Sequence, residues 1–285
     1  MTDPTSPADG RPTSRARSRR RLAIAVLAAL VPVVPIVAAL LVTGSSARTP
    51  AAATTQTAAY QPVPGHAAPP RGRRHHHHRA AIGLPPGPGA LVASIGRPHS
   101  LHASPGGRRI GSLRPKTSFG SPTFVLVRRV RHHWLGVVTT AAGNNRVGWI
   151  RAAGVSLGRD GWRLHAVLAR HALYVLHDGR QVRRMTIATG KPTAPTPTGL
   201  FAVTDRLTTG DPGGPYGCCI LALSATAPHH ISDWDGGNRI AIHSTPESDS
   251  IGYSVSHGCM RLSLADGQWL IDHIPLGTPA RISSA

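Results

Sequence analysis

Short apolar runs separated by turn residues, rather than apolar stripes at helical spacing, set the pattern of this 285-residue chain. Residues 91–95, 124–127, 134–138 and 147–150 read as strands, with Gly143-Asn144-Asn145 turning the chain before the last of them. They predict a small β-barrel over residues 90–157. Beyond Asp160 the alternation resumes at residues 162–168, 173–176 and 181–188, the last two joined by a tight Asp178-Gly179 hairpin turn. Thr196-Pro197-Thr198-Gly199 places proline and glycine in a turn that leads into a strand at residues 200–203. Ile240-Ala241-Ile242-His243 reads as a strand ending in a histidine. Residues 205–238, dense in glycine and proline, read as a long irregular excursion of the kind that forms lids and substrate walls. The chain is therefore expected to be mainly β, with a second unit, a sandwich of antiparallel strands, over residues 161–285.

The N-terminal third departs from this pattern. Residues 22–43 are uncharged and apolar, and as a helix they would span about 33 Å, matching a hydrocarbon core of about 30 Å. Arg11, Arg15, Arg17, Arg19, Arg20 and Arg21 precede the run, whereas a solitary Arg48 follows it. Positive charge on one side predicts a single-pass anchor, with residues 1–21 as a basic cytoplasmic tail and the rest of the chain outside. A cleaved signal peptide, cut near Ser45-Ser46-Ala47, is the alternative, although such apolar regions usually run about 7–15 residues. Residues 44–89, rich in Ala, Pro, Thr, Gly and Arg, carry too little apolar surface to offset the entropy of ordering and read as a linker. Within it His75, His76, His77 and His78 lie among Arg71, Arg73, Arg74 and Arg79. A tract without preorganised geometry reads as a solvated basic spacer rather than a metal site, drawn to anionic lipid headgroups or anionic wall polymers.

Composition narrows the classes. Phe, Trp and Tyr are only 4% of the chain against Gly 31 and Pro 26, which fits linker plus turn-rich β structure. The net charge of +20 divides as +4 over residues 1–21, +15 over 22–158 and +1 over 159–285. A nucleic-acid footprint would be expected to persist into the folded C-terminal part, so its near balance argues against DNA or RNA as the specific partner.

The chemistry gathers near the C-terminus. His243 is followed thirteen residues later by Ser256-His257-Gly258-Cys259-Met260-Arg261-Leu262. A cysteine beside histidines and an arginine is placed to have its thiol pKa lowered from about 8.5 toward neutrality, which makes Cys259 the candidate nucleophile. Gly258 lets the backbone approach a ligand closely, and the amides around Cys259 can face a developing oxyanion. Cys218 and Cys219 leave an odd total; the plain expectation is two buried or loop thiols, with a redox role as the alternative.

Two resemblances follow from these residues. Trp134-Leu135-Gly136-Val137, a turn, and Gly148-Trp149-Ile150 resemble a bacterial SH3-like domain, whose members are usually wall-binding or spacing modules, although both tryptophans would serve equally as barrel core. Over residues 161–283, His243, the Ser256–Arg261 motif, Thr196-Pro197-Thr198-Gly199-Leu200-Phe201 and Leu276-Gly277-Thr278-Pro279-Ala280 resemble the L,D-transpeptidase (YkuD-type) catalytic-domain family. That resemblance implies a peptidoglycan stem peptide as substrate, Cys259 as nucleophile and His243 as general base and acid. It places His257 and Gly258 at the oxyanion and substrate wall, has Arg261 orient the site, counts Ser244 and Ser256 with the site, and has the segment around Tyr216 shape the groove. It implies no metal or organic cofactor, and carbapenems as covalent inhibitors. Ser244 stands where many members have glycine, and Met260 where a branched aliphatic is commoner. An L,D-carboxypeptidase using the same residues and a non-catalytic wall-binding protein remain the alternatives.

Overall fold

In the computed structural model, residues 61–62, 82–228 and 238–285 are described; the expected cytoplasmic tail, membrane span and His tract lie outside them. Among the described residues no helix is long and apolar enough to cross a membrane. Residues 56–285 form one compact unit. After the two-residue strand β1 (Gln61–Pro62) the chain builds β2 (Ala90–Ile95), β3 (His99–His102), β4 (Arg109–Leu113), β5 (Phe124–Arg131), β6 (Trp134–Val138), β7 (Gly148–Arg151) and β8 (Val155–Asp160). These seven form one antiparallel sheet in the order β4-β3-β7-β6-β5-β2-β8. Leu91, Ala93, Ile95, Val125, Val127, Leu135, Val137 and Ile150 alternate inward along their strands and form its core. Trp134 and Trp149 are buried, and Arg151 and Arg131 lie over their respective rings.

The second half contributes β9 (Trp162–Val167), β10 (Ala172–His177), β11 (Arg180–Thr186), β12 (Thr189–Gly190), β13 (Gly199–Thr208), β14 (Cys219–Thr226), β15 (Arg239–Ser244), β16 (Ser254–Ser256), β17 (Met260–Leu262) and β18 (Pro279–Ser283). Their main sheet runs β11-β10-β9-β18-β13-β14-β15-β17, with β1 also pairing antiparallel with β13, while β12 and β16 form a separate parallel pair. Asp178 and Gly179, at φ 48° and 80°, make the left-handed hairpin turn that their residue types predict.

Two expectations are corrected. Residues 205–238 are not one irregular excursion: β13 continues to Thr208, and β14 lies at the heart of the sheet with seven of its eight residues buried. A strand buried on both faces loses its polar alternation, so Cys-Ile-Leu-Ala-Leu-Ser-Ala shows no period of two. An α-helix, α1 (Leu264–His273), also forms where none was read. Ser263 caps it: its Oγ accepts from the Asp266 amide at 3.1 Å and donates to the Asp266 carboxylate at 2.9 Å, while Leu270 and Ile271 bury against the sheet.

The two sheets are joined by buried contacts rather than by a bare linker. Leu126 and Val138 of the first pack with Ala202 of the second. At 0% exposure, Thr278 donates to the Asp160 carboxylate at 2.6 Å, and that carboxylate also accepts from the Trp162 amide at 2.8 Å. Asn144 clasps the backbone of Thr226 from both sides, accepting from its amide at 2.9 Å and donating to its carbonyl at 2.7 Å.

Candidate active site

The register of two parallel strands builds the site. β15 and β17 pair so that Ile242 faces Met260 and His243 faces Arg261. Continuing that register by one residue sets Cys259 against Ala241, and the Ala241 amide donates to the Cys259 sulfur at 3.4 Å. Ala241 and His243 share a face of β15 because side chains alternate, so imidazole and thiol are presented to the same side. Both line a cleft of about 430 Å³, together with Tyr216, Arg239, Ser256, His257 and Arg261.

His243 is 3% exposed. Its Nδ1 lies 2.8 Å from the Ser244 carbonyl, which can only accept, so Nδ1 carries the proton and Nε2 is left as the base. Burial pushes the imidazole down to about 4; backbone hydrogen bonds from Ser244 and Tyr216 oppose that shift, and the Arg261 charge adds to it. The Tyr216 ring meets the imidazole edge-on, with centroids 4.9 Å apart.

Cys259 is a free thiol, and its ionisation corrects the sequence reading. The thiol lies above its ordinary value: desolvation outweighs both the Ala241 hydrogen bond and the Arg261 charge, which pull it down. Counting cationic neighbours along the chain captures the attraction but not the cost of removing a thiolate from water. With the imidazole depressed and the thiol raised, the resting pair near neutral pH is uncharged, and proton transfer accompanies attack.

The remaining predicted residues occupy different positions. Ser256 is buried; its hydroxyl accepts from the Gly258 amide at 3.1 Å and donates to the Cys259 carbonyl at 2.5 Å, closing the turn before the thiol. The Gly258 amide is thereby engaged, and its carbonyl accepts from Thr196 at 2.9 Å, which ties the Thr196-Pro197 turn to the cysteine loop. His257 is exposed on the rim, with Nε2 3.2 Å from the Lys191 ammonium nitrogen. Arg261 pairs with Glu247 at 2.8 Å. Ser244 is 0% exposed and points away from the cleft, accepting from the Cys219 amide at 3.0 Å and bracing β15 against β14. Met260 is fully buried, so its departure from a branched aliphatic falls in the core. Cys218 and Cys219 are not the two free thiols expected but are joined in a disulfide beside Ser244. Arg239, Asn238, Pro215 and Ala227 also line the cleft, and no motif in the sequence marked them. Among the described residues no group of His, Cys, Asp or Glu side chains is placed to hold a metal ion.

Gly258 sits at φ 113°, where a Cβ would meet Ile240 at 3.0 Å and the Pro195 carbonyl at 3.6 Å. Left-handed backbone costs an L-residue about 1–2 kcal/mol, enough to displace the adjacent thiol. We expect Gly258→Ala to lower the rate of Cys259 acylation about tenfold or more, measured by intact-protein mass spectrometry, with a matching loss in urea midpoint.

A buried imidazole and a thiol brought by adjacent parallel strands into one cleft is the arrangement of a cysteine-based acyl-transfer domain. The comparisons specify which. Residues 161–282 match the YkuD family model, the L,D-transpeptidase catalytic domain, and this part of the chain is a catalytic domain of that type. L,D-transpeptidase 1 of Mycobacterium tuberculosis is 33% identical over 128 residues, 41% of this chain and 48% of that protein. The putative L,D-transpeptidase YkuD of Bacillus licheniformis is 32% identical over 122 residues, 43% of this chain and 66% of that protein. The chain thus spans about half the length of the first of these relatives. Among solved structures, L,D-transpeptidase 3 from Mycobacterium tuberculosis in complex with a faropenem-derived adduct aligns with a TM-score of 0.35 and 20% identity, over 48% of this chain and 73% of that one.

Proposed function

We propose that this protein is a cell-wall L,D-transpeptidase that cross-links peptidoglycan stem peptides through an acyl-enzyme on Cys259. The observation that carries the reading is the placement of His243 and Cys259 in one cleft of a domain that matches the transpeptidase family model. The Cys259 sulfur attacks the carbonyl joining diaminopimelate to the terminal D-alanine as His243 Nε2 takes the thiol proton. Because the Gly258 amide is occupied by Ser256, the oxyanion is assigned to the amide of Cys259 itself. The imidazolium, whose pKa is held near 4, is a strong acid and returns the proton to the departing D-alanine amine. The side-chain amine of a second stem then attacks the thioester, His243 accepts its proton, and release of the thiol completes a cross-link with no cofactor. His257, Arg261 and Tyr216 form the substrate walls, and carbapenems, as strained acyl donors, acylate the same sulfur.

In this reading residues 22–43 anchor the chain in the cytoplasmic membrane with the catalytic domain on the wall side, and the basic linker of residues 44–89 is held near anionic lipid or wall polymers. Residues 90–157 serve as an SH3-like module. The reading rests on the length of the apolar run, the arginines before it and the charge distribution.

The test incubates the detergent-solubilised full chain with a diaminopimelate-containing disaccharide tetrapeptide and follows products by mass spectrometry. A cross-linked dimer with D-alanine release is the expected result. Tripeptide without dimer would reassign the protein as an L,D-carboxypeptidase, and absence of both products and acyl-enzyme would leave a wall-binding protein.

A further inference from the structure

The loop between β4 and β5 belongs by sequence to the first sheet, yet it is built into the wall that holds the cysteine. Lys116 bridges Pro122, the Thr117 amide donates to the Ser121 carbonyl at 2.9 Å, and the Thr123 amide donates to Pro115 at 2.8 Å, so the loop is closed on itself before it meets anything else. The Phe119 amide donates to Thr117 Oγ1 at 3.2 Å, which fixes the direction of the Phe119 ring.

From this closed tip Thr117 donates its hydroxyl to the Asp205 carboxylate on β13. Asp205 is 0% exposed, and its other oxygen lies 3.6 Å from the Arg239 guanidinium. Arg239 also donates to Thr204 Oγ1 at 2.6 Å and to the Leu223 carbonyl at 2.9 Å, and its guanidinium lies 5.8 Å from the centre of the Phe119 ring. Phe119 packs on Leu207, Ile220 and Ala241, the same apolar patch that carries Tyr216 and Cys259. The chain of contacts ends at the thiol: the Cys259 sulfur rests between the Ala241 amide and the Arg239 carbonyl, 3.4 and 3.9 Å away. The first sheet therefore grips the start of β15 by both the side chain of Arg239 and the patch beneath the sulfur.

We infer that Thr117 and Phe119 are positioning residues for the nucleophile, so that the N-terminal sheet completes the active site rather than only spacing it from the membrane. A buried carboxylate deprived of its hydrogen bond is costly, and the partner free to move in response is Arg239, whose backbone borders the sulfur. The inference rests on Cys259 being the nucleophile proposed above.

The experiment compares Thr117→Val, Thr117→Ser and Phe119→Ala in the full chain, with Asn145→Ala as a control. Asn145 also joins the two sheets, donating to the Thr198 carbonyl at 3.0 Å, but makes no contact with Asp205 or Arg239. Carbapenem acylation is followed to completion at several concentrations. Thr117→Val and Phe119→Ala are expected to reach one adduct per chain with the saturating rate constant reduced about tenfold or more and the half-saturating concentration little changed. Thr117→Ser and Asn145→Ala are expected to keep the parent rate. Iodoacetamide alkylation of Cys259, which needs no transpeptidase activity, is expected to shift its pH midpoint in Thr117→Val and not in Asn145→Ala. Parental rate constants in both Thr117→Val and Phe119→Ala, or equal losses in Asn145→Ala, would overturn the inference. A parent chain that is alkylated but never acylated would count against the proposed function, and the alkylation midpoints would still decide the positioning role.

Discussion

Cys259→Ala is expected to abolish acyl-enzyme formation outright while the fold persists. No other described residue supplies a free thiol, because Cys218 and Cys219 are joined to each other, so a carbapenem or a tetrapeptide stem has no second sulfur to react with. Cost to the fold is small. Cys259 is only partly buried, and the one hydrogen bond lost is that from the Ala241 amide at 3.4 Å, worth about 1 kcal/mol net. Intact-protein mass spectrometry is expected to show the unmodified mass after prolonged exposure to carbapenem, and circular dichroism is expected to overlay that of the parent. An adduct on the alanine variant would remove Cys259 from the mechanism. An adduct confined to the parent, together with loss of cross-linked product in the variant, ties chemistry and product to one atom.

What the sequence revealed and what it concealed divide along physical lines. Features set by local stereochemistry were legible: the strand at residues 134–138 has the bounds read for it, Asp178-Gly179 turns the chain as its residue types require, and His243 ends no more than a residue from the close of its strand. Features set by desolvation or by distant pairing were not. The strand Cys219–Thr226 is buried along nearly its whole length, so it lacks the alternation that marks a half-exposed strand, and the glycines and prolines before it suggested a loop. The raised thiol of Cys259 follows from burial that no count of neighbouring charges predicts. Thr117 meets Asp205 across 88 positions of chain, and nothing in Lys116-Thr117-Ser118-Phe119 distinguishes it from an ordinary turn. The helix Leu264–His273 is a different case, because Ser263-Leu264-Ala265-Asp266 is a capping sequence that lay open to reading.

His243→Gln is expected to reduce the acylation rate by about 10²–10⁴-fold, the usual contribution of a positioned general base. Glutamine retains a side-chain N–H that can reach the Ser244 carbonyl in place of Nδ1, so the loss isolates proton transfer from packing. The pH profile carries the sharper signature. In the parent the imidazole must be neutral to accept the thiol proton, so acylation falls on the acid side as pH drops through about 4 and is level above that until the thiol itself ionises, beyond its ordinary range. The glutamine variant has no acid limb and recovers rate only in alkali, where thiolate forms unaided. A preformed thiolate–imidazolium pair predicts the opposite, with activity requiring a protonated His243. Stability provides an independent check with a definite sign. A histidine whose folded pKa is depressed from 6.5 to about 4 binds its proton more readily unfolded, so its neutral burial contributes fully above pH 6.5 and that contribution is lost as pH falls toward 4. A shift of that size corresponds to about 3 kcal/mol at most across the window. Urea unfolding of the parent is expected to lose stability over this range more steeply than the glutamine variant. Parallel slopes, together with an unchanged acid limb in the variant, would show that His243 is not the titrating base.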